Sequence, residues 1–223
     1  MSINIYENLD ENFFLSMKAN FTSVTFKRGG YVEIRGVGQY VDIVGIIIFF
    51  TFAQADNPTE VMLPAGGVRV VVGFSPEGSA QKAILDLINS AQQEIRMAAY
   101  SFTSPVIAKA LINAHRRGVD VRIVVDKGQN NNRYAVSTMN TVVNAGIPLR
   151  TNDQFLLHHD KYLCVDRISV ETGSYNYSSS AFNKNSENSL VLYNAPDVTA
   201  LYLAHWESRW TGGVDYIPNY LNF

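Results

Sequence analysis

The segment His158-His159-Asp160-Lys161-Tyr162-Leu163-Cys164-Val165-Asp166 carries residue types suited to attack on a phosphate. In an extended strand, residues i and i+2 project from the same face, so His159 and Lys161 are expected to point together. The lysine draws in and neutralises phosphoryl oxygens, and its charge favours the neutral, nucleophilic imidazole. Asp166 lies seven residues beyond His159. Strict alternation puts it on the opposite face, which suits a structural anchor better than a substrate contact.

Two later stretches add polar groups. Glu171-Thr172-Gly173-Ser174-Tyr175-Asn176 reads as a turn that presents the Ser174 hydroxyl and the Asn176 amide. Asn185-Ser186-Glu187-Asn188 then supplies a carboxylate just before an apolar run from Ser189 to Tyr193. A catalytic histidine needs its second ring nitrogen held by an acceptor, and Glu187 is the candidate. His115, His158 and His205 show no ligand spacing with Cys, Asp or Glu beyond the cluster at Asp160, so no metal site is expected. His158 reads as a packed or surface residue on the far face, and His205 as a partly exposed packing histidine of the last helix.

The elements that must position these groups alternate. Val68–Phe74 is a β-branched run closed by Ser75-Pro76-Glu77-Gly78, and from Ser79 the apolar spacing turns helical, with Ala83, Leu87, Ile88 and Ala91 on one face. Ile95–Tyr100 reads as strand. Ser104-Pro105 opens a helix closed by Gly118, and Val121–Val125 is a buried strand. Asn130-Asn131-Asn132 reads as a loop before a helix from Tyr134 to Ala145, and Ile147–Arg150 as a short strand. Arg116-Arg117, at a helix end, offsets a helix dipole. Ala200–Trp206 closes the chain as a helix. This rhythm predicts an α/β fold, a mixed sheet flanked by helices on both faces.

Composition agrees with one packed domain and an extra segment. The chain has 223 residues, 47% apolar and 17% charged, with a formal charge of −2. That excludes a disordered chain and a disulfide scaffold, and no global basic field marks nucleic acid or an anionic membrane. Positive charge for phosphate must be local. Cys164 stands alone, so no intrachain disulfide forms, and its setting reads as a core strand.

Residues 1–55 differ from the rest. A compact apolar core at 43–53 ends in Ala53-Gln54-Ala55 and is followed by Asp56-Asn57-Pro58. A short apolar stretch closed by Ala-x-Ala is the pattern of a secretory signal peptide. It is about half the roughly 20 residues that a spanning helix needs. Its flank is longer than usual and only mildly basic, and a buried strand or an uncleaved anchor are the alternatives. Cleavage after Ala55 would leave residues 56–223 as the folded domain, periplasmic or secreted, with no stable membrane span.

His159-x-Lys161-x₄-Asp166, Gly173-Ser174-x-Asn176 and Asn185-Ser186-Glu187-Asn188 together resemble the active-site motif of the phospholipase D superfamily. The nearest likeness is to its single-motif bacterial endonucleases, and it runs from about Val68 to Trp210. The resemblance implies an α-β-α sandwich and a metal-independent phosphodiesterase without cofactor. It implies His159 as the nucleophile that becomes phosphohistidine, with Lys161 and Asn176 binding the phosphoryl oxygens. Ser174 would hydrogen-bond nearby, Glu187 orient a histidine and Asp166 brace the strand.

Because the chain carries one His-x-Lys, a homodimer with a shared site is expected. DNA, and RNA with it, is the expected substrate, since Asp126–Arg133 and Ser178–Lys184 are polar and mildly basic where a lipase rim is apolar. A phospholipase acting on membrane diesters and a non-catalytic assembly module of a conjugation system are the alternative readings.

Overall fold

A computed structural model describes residues 67–220, together with the backbone of β1 (Ser23–Lys27), β2 (Tyr31–Arg35) and β3 (Thr59–Met62). The apolar core at 43–53 and the Ala-x-Ala end lie outside the described residues. The chain divides into two units, Met1–Phe52 and Ala53–Phe223. In the first unit β1 and β2 pair antiparallel, Ser23 facing Arg35 and Lys27 facing Tyr31.

The second unit is built on a sheet of order β11-β7-β6-β5-β8-β9-β10-β4-β3. Its members are β4 (Arg69–Ser75), β5 (Glu94–Ala99), β6 (Asp120–Asp126), β7 (Leu149–Asn152), β8 (Lys161–Val165), β9 (Ser169–Gly173), β10 (Glu187–Tyr193), β11 (Val214–Asp215) and β3. β5, β6 and β7 run parallel, with crossover helices between them, and the other pairings are antiparallel. This is the mixed α/β sheet that the alternating pattern predicts.

Alternation along the central strands sorts side chains to two faces. Met97, Ile123, Val125 and Leu163 face a large core under α1 (Ser79–Ser90), α2 (Pro105–Arg116) and α3 (Arg133–Asn144). Ala98, Val124, Tyr162 and Cys164 face the other way, onto Trp206 and Trp210 of α5 (Pro196–Thr211). A short α4 (Ser179–Asn183) lies between β9 and β10 in the chain.

Local chemistry sets the helix ends. The Ser104 hydroxyl accepts the Ile107 N–H at 3.3 Å with Pro105 in the first turn, and the Asn132 side-chain oxygen accepts the N–H groups of Tyr134 and Ala135 at 3.2 and 3.1 Å. Asn132 is therefore a cap. Asn130 is a buried brace: its side chain accepts from Phe102 N–H and donates to the carbonyls of Tyr100 and Asp126. The Arg117 guanidinium reaches the carbonyls of Ile88, Asn89 and Ala91 at 3.3–3.4 Å. It serves the C-terminal end of α1 rather than only its own helix.

Candidate active site

β8 and β9 form a hairpin in the centre of the sheet, turned at Asp166 and Arg167, both with positive φ. The Asp166 carboxylate accepts three backbone N–H groups, of Gln92, Gln93 and Glu94, at 2.8–2.9 Å. It thereby ties the hairpin to the start of β5. Asp166, expected as an anchor by strand alternation, lies at the turn and makes backbone bonds there.

The strand begins at Lys161, so His159 stands in the segment just before it and not within it. The two side chains meet nonetheless. Lys161 Nζ lies 3.2 Å from His159 Nδ1 and 3.3 Å from Nε2, and donates to the His159 carbonyl at 2.9 Å. The Tyr100 ring, 4.3 Å from the imidazole and 5.0 Å from the ammonium, backs both. His159 is exposed and Lys161 buried. Burial lowers the lysine pKa, against the raising charges of Glu187 and Asp160.

The second polar group forms where β9 meets β10. Glu171–Gly173, expected in a turn, is instead the end of β9, and the chain turns after it. Gly173 is needed there because a Cβ would overlap the Asn188 carbonyl of β10. The Ser174 hydroxyl donates to Glu187 Oε2 at 2.6 Å, and Asn185 Nδ2 donates to Oε1 at 2.8 Å. Both carboxylate oxygens are thus engaged, and within the chain Glu187 makes no hydrogen bond to His159. Asn176 Oδ1 is buried without a hydrogen-bond partner among the described residues. Such a group is left for substrate or water.

His159, Lys161 and Gly173 line a cleft of about 470 Å³ whose far wall is Leu201, Tyr202 and His205 of α5. His205, expected as a packing residue, therefore belongs to the site. Its Nε2 is 3.0 Å from Asp160 Oδ2, and His158 Nε2 is 3.1 Å from the same oxygen. Burial raises the Asp160 pKa, but the two histidines outweigh it and hold it at about 2. His158 is packed, as expected, with Asp160 as its neighbour. The signal for His205 was its place one residue before an apolar Trp206, on a helix with no sequence proximity to His159.

An exposed apolar stretch precedes the site residues in the chain. Phe155, Leu156 and Leu157, directly before His158, are exposed, Leu156 almost fully at 98%. Lys127 Nζ bonds Asp153 at 2.6 Å, so the polar 126–133 loop abuts this apolar stretch. Among the described residues no group of three or more His, Cys, Asp or Glu could hold a metal. Among them, too, no helix is long and apolar enough to cross a membrane.

An exposed imidazole lies against a buried ammonium in one cleft, and the Glu187 carboxylate, held by Ser174, is near enough to act on the Lys161 charge. The chain belongs to the phospholipase D-like family: residues 84–210 match the model of the cardiolipin synthase, PLD-like domain. Members of this superfamily are phosphodiester hydrolases, and the chain is one of them. It is 50% identical to Nuc, a phospholipase D family member from Salmonella typhimurium, over 67% of this chain and 98% of that one, with a TM-score of 0.66. It is 33% identical over 141 residues to a phospholipase D of Rickettsia bellii (strain RML369-C), covering 63% of this chain and 69% of the relative. It is also 33% identical over 148 residues to the mitochondrial cardiolipin hydrolase of Xenopus laevis, covering 65% and 66%.

Proposed function

We propose that the chain is an endonuclease of low sequence specificity that hydrolyses nucleic acid through a phosphohistidine on His159. The observation that carries the reading is the contact of Lys161 Nζ with the exposed His159 ring. An imidazole nitrogen attacks phosphorus, the bond to the leaving oxygen breaks, and an acid protonates that oxygen; water then hydrolyses the phosphorus–nitrogen bond. Lys161 and the Asn176 amide bind the non-bridging oxygens, and the ammonium supplies charge that a metal gives elsewhere. Ser174 and Asn185 hold Glu187 beside the lysine, and Asp166 braces the hairpin that carries it.

A chain with one such motif takes its acid from a second copy, so the active species is a two-fold homodimer with one composite site, His159 of one subunit attacking and His159 of the other protonating. The protein acts in the periplasm or outside the cell, after cleavage behind Ala55. Mass spectrometry of the exported protein then shows Asp56 at its N-terminus.

The test is incubation of the purified protein with plasmid DNA, RNA and phosphatidylcholine vesicles, each with and without EDTA. Cleavage of nucleic acid that survives EDTA is expected. Loss in EDTA with recovery in Mg²⁺ overturns the mechanism. For the dimer, His159→Asn is unfolded and refolded with an equal amount of wild type. About a quarter of random pairs are then fully wild type, and activity falls to about half that of wild type refolded alone. Full activity, or an active monomer, overturns the shared site.

One observation favours a second reading, hydrolysis of membrane phosphodiesters: the exposed Phe155-Leu156-Leu157 stretch directly before His158. Cleavage of the vesicle lipid and not of nucleic acid decides for it.

A further inference from the structure

The cleft that holds His159 and Lys161 holds a second imidazole. His205 presents a side chain 39% exposed, and its Nε2 is 3.0 Å from the carboxylate of Asp160, the residue between His159 and Lys161. Both partners are fixed. The Asp160 carbonyl accepts the Tyr100 N–H at 2.8 Å, and Trp206, next to His205, donates its indole N–H to the Met97 carbonyl at 2.9 Å. Arg209, one turn on, stands 3.8 Å from the same Asp160 oxygen.

An imidazole that gives one ring nitrogen to a carboxylate has its other nitrogen left for another partner. His205 lines the same cleft as His159 and Lys161. We propose that His205, held by Asp160 in this cleft, is a second phosphate subsite that binds the phosphate next to the scissile one in a polynucleotide. The subsite rests on the nucleic-acid reading above. It makes a chain of phosphates a better substrate than an isolated diester, without reading any base.

The test compares full-length wild type, His205→Gln and His205→Arg on a single-stranded 20-mer and on bis(p-nitrophenyl) phosphate, a diester with no neighbouring phosphate. His205→Gln keeps a donor for Asp160 but loses the imidazole. It raises KM for the 20-mer about fivefold or more, and raises it less for the small diester. It also lowers the slope of log KM against log salt by about 0.7, the share of one phosphate contact on a single strand. His205→Arg restores that slope. A residue that only packs would change both substrates alike, through His159 and Lys161, and leave the slope alone. Equal changes, no change, or an unaltered slope overturn the subsite while the nuclease reading stands. Wild type that cleaves the small diester but not the 20-mer overturns both.

Discussion

The two faces of the central sheet are built for different work. Under α1, α2 and α3, aliphatic side chains such as Ile84, Leu87, Leu111 and Ile123 are fully buried, and the packing is continuous. Under α5 the core is small and aromatic: Trp206 and Trp210 stack at 5.1 Å, with Arg96 and Arg150 guanidinium groups 5.6 and 4.5 Å from their rings. α5 leaves part of its length to solvent, with Leu201 73% exposed, and the cleft opens there. Stability is concentrated on one face, and the other can spare a helix flank for substrate.

The sharpest break in this comparison is His159→Asn. It lowers kcat by about 10⁴-fold or more, as removal of a covalent nucleophile does. The thermal midpoint stays where it was, since the side chain is exposed. Leu111→Ala, in the thick face, reverses the pattern. It costs about 2–5 kcal/mol in denaturant unfolding, while the folded fraction keeps its specific activity. Asp166→Ala joins the two. Losing a charged acceptor for three N–H groups costs about 1.5–3 kcal/mol of unfolding free energy, and activity drops because the hairpin that positions Lys161 loosens.

An effect seen only as a dependence on pH comes from the exception within the thick face. Glu171 is fully buried with Ser189 and Tyr177 as donors at 2.7 and 2.8 Å. Burial raises its pKa from 4.5 to about 7 despite those donors. The unfolded chain then releases this proton at lower pH than the folded one, so the group makes stability fall as pH rises from about 4.5 to 7. Glu171→Gln flattens that part of the stability profile, read by thermal unfolding across pH. An unchanged slope places the titration elsewhere.

The strands and helices were legible because their periods were clean: Val121–Val125 is continuous, and Ser104-Pro105 announces a start. His159, Lys161 and the Ser174–Glu187 stretch were legible because local spacing carries them. His205 was not, because only the tertiary packing of Trp206 against Met97 brings α5 to Asp160. Glu171–Gly173 reads as a turn from its polar and glycine content. It is a strand because buried donors satisfy the carboxylate and the β10 carbonyl leaves no room for a Cβ at Gly173. The Phe155–Leu157 stretch has no period, and its exposure follows from the path of the loop alone.

Cys164 is the one thiol of the chain, buried in β8 three residues from Lys161. Burial pushes its pKa up to about 12, so at neutral pH it is neither ionised nor accessible to an alkylating reagent. Iodoacetamide labelling therefore runs as a clock for the opening of β8 itself, without any introduced probe. A substrate analogue that closes the cleft would slow that clock, and its rate would time the motions of β8.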